Sequence, residues 1–357
     1  MKHNFGAGPG ILPQEVLLQA SQGIMNLNNA GLSVLEISHR SADFEAILAE
    51  AVALVKELLE VPEGYEVLFL QGGASQEFAM VPYNLLPQTG KAAYLDSGVW
   101  SSKAIKEAKF YGKVEVVASS KDKNYTYIPS GYDIPQDAAY FHVTSNNTIY
   151  GTQLKQFPKS AVPMVSDMSS DIFSRKLDVS RFDLIYAGAQ KNMGPAGVTL
   201  VIVNPAILGR SGRDIPAIFD YRQHIAAGSM YNTPPVFAVY TSMLSLRWLK
   251  KKGGVGEIEK ENAAKAAALY AEIDRSAMFR GTCATEDRSV MNACFVAESA
   301  ELETEFLSFI KERGLVGLKG HRSVGGFRAS LYNALPMSSV HVLVEAMKEF
   351  EAQHIHA

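Results

Sequence analysis

Apolar positions recur along the chain with two different periods. From residue 13 they fall at helical spacing. Pro13 needs no N–H at a helix start, and Val16, Leu17, Ala20 and Ile24 then share one face. Ser41 is placed to cap a second helix with Phe44, Ile47, Leu48, Ala51, Val55 and Leu58 on one side, ended by Pro62 and Gly64. Beyond that point the texture changes to short apolar runs at 66–70, 92–95, 114–118, 139–143, 163–166, 184–187 and 198–203. Helical segments alternate with them, one ending at Leu85 and one over 100–111. Runs without polar alternation are buried on both faces. Their separation by helices predicts an α/β domain with a mostly parallel, seven-stranded sheet.

A Pro/Gly-rich stretch over 209–235 interrupts this pattern. An amphipathic helix around 236–250 and a long one around 257–273 follow. Strands at 290–296 and 327–332 and helices at 303–312 and 339–352 then predict a smaller α+β domain. A large domain over 16–258 and a small C-terminal domain over 259–357 are the expected units, in line with about 150 residues per domain.

Composition narrows the function classes. With 34 Lys+Arg against 37 Asp+Glu the net charge is −3, and 47% of residues are apolar. That profile excludes a disordered or collagenous chain, and no basic excess points to nucleic acid or an anionic membrane. The two cysteines, Cys283 and Cys294, are too few for a disulfide framework and stand in no metal-ligand spacing. The first residues lack the apolar core of a signal peptide, and runs such as 198–203 fall far short of the roughly 20 residues that span a bilayer. A soluble, cytoplasmic protein is expected.

Three segments could carry chemistry. In Leu70-Gln71-Gly72-Gly73-Ala74-Ser75, a strand feeds small residues into a helix start, where free backbone N–H groups suit a phosphate. An ordinary tight turn would look the same. In Asp183 to Gly197, an apolar strand runs to Lys191, bracketed by small residues and followed by Gly194-Pro195. Most lysines are solvated, but one held at a strand end among small residues can become a Schiff-base nucleophile. In Val165-Ser166-Asp167-Met168-Ser169-Ser170, a carboxylate closes another buried strand, a position also suited to a turn or cap residue. A strand-end Asp, a strand-end Lys and a phosphate cradle are together the parts that hold pyridoxal phosphate. Trp100, just after the strand at 92–95, could cover the ring face.

These residues belong to a recognisable set. Gly8-Pro9, Glu36 to Arg40, Gly72 to Ser75, Asp167, Gln190-Lys191-Asn192, Tyr231 to Pro235 and His321 to Ser330 occur in an order that resembles the phosphoserine aminotransferases. That family has the fold type I pyridoxal-phosphate architecture. The resemblance implies that Lys191 holds pyridoxal 5'-phosphate and that Asp167 pairs with its ring nitrogen. It implies stacking by Trp100, a contact from Thr148, and phosphate binding by Ala74, Ser75 and Gln190. Asn232 and Thr233 would reach that phosphate from a second subunit, making a homodimer the functional unit. Arg328 would clamp the substrate α-carboxylate, while His39, Arg40, His321 and Arg322 would face its other anionic end. Residues 1–15 would contribute to the site and the small domain.

The implied reaction is a ping-pong transamination of 3-phosphohydroxypyruvate with L-glutamate, giving O-phospho-L-serine and 2-oxoglutarate. 4-Phosphohydroxy-L-threonine is the family's second substrate class. Two separated cationic sites fit a substrate anionic at both ends, and arginine's planar fork matches carboxylate and phosphate alike. A cysteine desulfurase would need a nucleophilic cysteine, yet both cysteines fall late. A small-amino-acid:glyoxylate aminotransferase would not need the paired His-Arg strings at 39–40 and 321–322. A regulator that retains the fold for binding is the non-catalytic alternative. Ala7 stands where the family often has a hydroxyl residue before Gly-Pro, so the family's side-chain contact is not available there, while a backbone contact could survive.

Overall fold

The computed structural model describes residues 2–355. After β1 (His3–Asn4), helices α1 (Gln14–Met25) and α2 (Ala42–Leu58) precede the first long strand, β2 (Glu66–Leu70). Helix and strand then alternate through α3 (Gly73–Leu85), β3 (Lys91–Asp96), α4 (Val99–Ala108) and β4 (Lys113–Ser119). Next come β5 (Phe141–Thr144), a hairpin of β6 (Asn146–Asn147) and β7 (Thr152–Gln153), then β8 (Met164–Asp167), β9 (Leu184–Gly188) and β10 (Thr199–Val203). The remainder comprises α5 (Tyr221–Ala226), α6 (Val236–Lys251), α7 (Gly254–Arg275), β11 (Phe279–Gly281) and β12 (Asn292–Ala297). It ends with α8 (Ala300–Glu312), β13 (Leu315–Val316), β14 (Phe327–Ser330) and α9 (Met337–Ile355).

All seven apolar runs join one sheet, in the order β2-β10-β9-β8-β5-β3-β4. Its pairings are parallel except at β10, which runs antiparallel to both β9 and β2. Alternate side chains leave each strand on opposite faces. Ile185, Leu200 and Ile202 pack on one face with Phe44, Leu48 and Val239 from α2 and α6. Leu184, Tyr186, Val201 and Val203 pack on the other with Phe78, Ala104 and Ile105 from α3 and α4. Because both faces are covered, β8, β9 and β10 are buried throughout. β4 closes one edge and keeps charged Lys113 and Glu115 outside, which blunts that edge against further pairing. The cap at Ser41 forms as its sequence predicts: its Oγ accepts from the Phe44 N–H at 3.4 Å.

A second core lies around the antiparallel sheet β11-β12-β14. Phe279, Phe306, Phe327 and Phe350 meet there edge-on or tilted, with ring centroids 4.8–6.5 Å apart. Phe5 joins this core, because β1 pairs in parallel with β13. The first described strand is thereby anchored to the C-terminal core. α7 bridges the two cores: Val255 and Ile258 pack in the first, and Ala266, Leu269 and Ile273 in the second.

Candidate active site

The carboxyl ends of the parallel strands open onto a cavity of about 520 Å³, the usual place for a ligand in an open α/β sheet. β8 ends in Asp167, and its neighbour β9 leads through Gly188 to Lys191. Both side chains line the cavity. From above come Ala7, Gly8 and Pro9, held because the Gly10 N–H donates to the Gln190 carbonyl at 2.7 Å. A side chain at Gly10 would meet the Lys191 carbonyl at 2.5 Å, so only glycine permits this approach.

Lys191 Nζ donates to Thr148 Oγ1 at 2.8 Å and lies 5.4 Å from the centroid of the Trp100 ring. Desolvation in the cavity pushes this amine down to about 8. Asp167 opposes that shift, and Arg328 adds to it. Asp167 is buried, and burial raises its carboxyl above the ordinary carboxylate range against the pull of Lys191 and of two hydrogen bonds from Ser169. Those bonds come from the Ser169 N–H at 2.9 Å and the Ser169 hydroxyl at 2.7 Å, both to Oδ1. The hydroxyl in turn accepts from the Gly188 N–H at 3.1 Å. Neighbours thus fix the carboxylate's orientation before anything binds.

One part of the cavity wall is built for an anion. Gly72, with φ of +86°, turns the chain from β2 into α3, and the first turn of that helix carries no acidic residue. Ala74 and Ser75 place that positive helix terminus against the cavity. Arg328, on β14, donates from Nη1 to the Thr148 carbonyl at 3.3 Å, while its Nε is buried without a partner. The Trp100 Nε1 is likewise unpartnered. Unpaired buried donors around an open cavity mark places a ligand can satisfy. An anion cradle, an amine, a carboxylate aimed in from a strand end and an indole face form the donor set that pyridoxal phosphate requires, so the residues fit that cofactor.

The cavity gathers Ala74, Ser75, Trp100, Thr148, Asp167, Gln190, Lys191, His321 and Arg328 from the expected set. Other members stand apart from it in the single chain. His39 and Arg40 occupy the turn before α2, and Arg322 is exposed beside His321. Asn232 and Thr233 lie before α6, where Asn232 Nδ2 donates to Gln71 Oε1 at 2.7 Å. Ala7 lines the cavity, and its carbonyl accepts from the Tyr332 hydroxyl at 2.7 Å. Sequence reasoning gave no role to Ser169, although it stands two residues after Asp167 at Asx-turn spacing, a signal that could have exposed it.

Neither cysteine lines the cavity. Burial pushes the Cys283 thiol up to about 11 and the Cys294 thiol up to about 12, which disfavours the thiolate a desulfurase needs. Among the described residues no cluster of His, Cys, Asp and Glu could hold a metal, and no helix is long and apolar enough to cross a membrane.

Comparison with known proteins places this geometry in context. The sequence pattern described as Aminotransferase class-V matches residues 3–343. A phosphoserine aminotransferase of Flavobacterium johnsoniae is 61% identical over 353 residues, covering 99% of each chain. The structure of phosphoserine aminotransferase from Bacillus circulans subsp. alkalophilus superposes with a TM-score of 0.97 at 45% identity, again over 99% of each chain. The pyridoxal-phosphate-bound enzyme of Trichomonas vaginalis gives 0.94 at 38% identity, over 98% of this chain and 100% of the other.

Proposed function

The chain belongs to the class-V aminotransferases and, within them, to the phosphoserine aminotransferases, and from that premise we propose its reaction in detail. It exchanges an amino group between L-glutamate and 3-phosphohydroxypyruvate, yielding 2-oxoglutarate and O-phospho-L-serine. Pyridoxal 5'-phosphate is the cofactor, and the working unit is a cytoplasmic homodimer. The observation that carries this reading is the single cavity that Lys191, Asp167, Arg328 and the α3 start at Ala74 and Ser75 line together. Two unpaired thiols accord with a reducing compartment.

The cofactor's phosphate would rest on Ala74, Ser75 and Gln190 of one subunit, with Asn232 and Thr233 reaching it from the other. Once bound, the cofactor supplies an electron-withdrawing ring that takes up the electron pair left when the substrate Cα loses its proton. The remaining tasks fall to the chain. Asp167, ionised, would pair with the ring nitrogen and hold a proton there, and Trp100 would cover the ring face. Lys191, with an amine near 8, is suited to accept the Cα proton and return it to the opposite carbon close to neutral pH. Thr148 orients that amine through its 2.8 Å hydrogen bond. Arg328, whose Nε is free of a partner, would bind the α-carboxylate through its guanidinium. His321 and Arg322, with His39 and Arg40, hold the substrate's phosphate or γ-carboxylate, so both acidic substrates use one site in turn.

Titrating the holoenzyme with phosphoserine, glutamate and alanine, read from the cofactor absorbance, tests the whole scheme. Phosphoserine and glutamate should each discharge the absorbance, and alanine should do so far less. A band unchanged by the first two would overturn the reading. Lys191→Ala should lower steady-state turnover by at least about 10³-fold, within the range expected for losing a positioned base.

A further inference from the structure

α4 starts directly after β3, with Trp100 in its first turn and Lys103 three residues on. Residues so spaced share a helix face. The Lys103 ammonium accordingly sits 4.5 Å from the centroid of the Trp100 ring, the same indole that faces Lys191 across the cavity. Lys103 is exposed and forms no ion pair among the described residues. Asp96, the carboxylate at the end of β3, is already engaged. It accepts from Ser101 at 3.2 Å, Ser102 at 2.7 Å and Ser119 at 2.8 Å. The cation is therefore free, and the aromatic face beneath it limits where its flexible stem can go.

His321, which lines the cavity, feels the same charge. Burial holds its imidazole below the ordinary value, and Arg328, Arg322 and Lys103 press it further in that direction. Lys103 thus shares the electrostatic neighbourhood of the residues assigned to the substrate's outer anion.

We propose that Lys103 is a specificity-determining residue of the substrate site, favouring a phosphate over a γ-carboxylate at the His321 and Arg322 end. The inference rests on the function proposed above. Coulomb attraction scales with the product of the charges, and a phosphate monoester carries about −1.5 to −2 at neutral pH against −1 for a carboxylate. A point-like, mobile ammonium beside the Trp100 ring responds to that difference without imposing a geometry, whereas the arginine forks fit either anion. One site can then admit both substrates and still hold the phosphorylated one more firmly.

Calorimetric binding to the holoenzyme separates the two anions without turnover. 3-Phosphoglycerate carries a carboxylate and a phosphate, 2-hydroxyglutarate carries two carboxylates, and neither has an amine or ketone to react. Lys103→Met should weaken 3-phosphoglycerate about tenfold and 2-hydroxyglutarate no more than about threefold, with the gap narrowing as ionic strength rises from roughly 0.05 to 0.3 M. The kcat/KM ratio of 3-phosphohydroxypyruvate to 2-oxoglutarate should fall by a similar factor, and Lys103→Arg should restore most of both. Equal losses for the two ligands, or none for either, would overturn the proposal. A wild-type holoenzyme that fails to transaminate phosphoserine would instead overturn the reaction on which it rests.

Discussion

Lys191 and Asp167 are tuned in opposite directions by one cause, loss of water, and each partly restrains the other's shift. Ser169 is the hinge of that balance, because its hydroxyl donates to Asp167 while accepting from the backbone of Gly188 at the end of β9. The Ser169 bonds favour the charged carboxylate, so removing the hydroxyl raises the Asp167 carboxyl beyond where burial already puts it. The proposed mechanism needs that group ionised, so activity would be lost at a higher pH on the acid side. Ser169→Ala should shift the acid limb of the kcat profile upward and lower kcat at neutral pH about 3–10-fold, as loss of a charge-assisted hydrogen bond allows. The pH dependence of kcat measures this, and an unmoved acid limb would contradict the assigned link. The small residues on either side of Lys191 make the pair visible in sequence, since strand ends without bulk imply an approach by a ligand. His39, Arg40, Arg322, Asn232 and Thr233 carry no such local signal and stand away from the cavity in one chain, so family resemblance alone points to them. Lys103 was silent for a different reason. An exposed lysine on a helix acquires meaning only when the indole under it is known to face a ligand cavity.

Among the elements, α7 carries the least expected contact. Lys265 is buried, and its Nζ donates to the carbonyls of Leu331, Tyr332 and Leu335 at 2.9, 2.8 and 3.1 Å. Those carbonyls belong to the loop between β14 and α9. Tyr332 on that loop bonds to Ala7, and the Asn333 N–H donates to Asn192 Oδ1 at 2.9 Å, next to Lys191. One helix thus locks the small core to both sides of the cavity. Burial pushes the Lys265 amine down to about 7, against 10.5 for the unfolded chain. Between these values the unfolded chain holds the proton and the folded one does not; the neutral amine keeps two N–H bonds for the three carbonyls, and this group's contribution makes the protein more stable as pH rises through that window, by less than about 1.4 kcal/mol per pH unit. Lys265→Met leaves three carbonyls without their donor and should cost about 1–3 kcal/mol. Urea midpoints at pH 7 and pH 9 should show the wild type's advantage over the variant widening at the higher pH, and a constant gap would refute the linkage. Long apolar runs made the seven sheet strands and the main helices legible in the chain. The two- and three-residue strands β1, β6, β7, β11 and β13 were not, because so few residues show no period. Strand direction was also hidden. β10 is as uniformly apolar as β9, and only the paired structure reveals that it runs the other way.

At the scale of the whole molecule, a net charge of −3 coexists with a cavity whose charged lining includes Lys191 and Arg328, with Lys103 and Arg322 close by. Folding concentrates cations drawn from distant parts of the sequence, which suits the small anionic substrates proposed above. The other unbalanced feature is apolar. Leu17 and Leu18 on α1, Met25 at its end, and Leu32 and Leu35 beyond it are 45–82% exposed, and they lead directly to His39 and Arg40. Scattered exposed apolar residues need no explanation, but five within 19 residues along one approach to two proposed site residues fit a contact between copies of the chain. Under the proposed homodimer that contact would bring His39 and Arg40, together with Asn232 and Thr233, to the neighbouring cavity. Carboxylates placed there could not be desolvated without a partner, so Leu32→Glu combined with Leu35→Glu should drive the protein to monomer in sedimentation velocity runs. Cofactor retained after gel filtration and turnover of phosphoserine should fall together in that monomer, while its circular dichroism stays that of the wild type. A folded monomer with full activity would show that each cavity is complete on its own, and the shared site would then have to be abandoned.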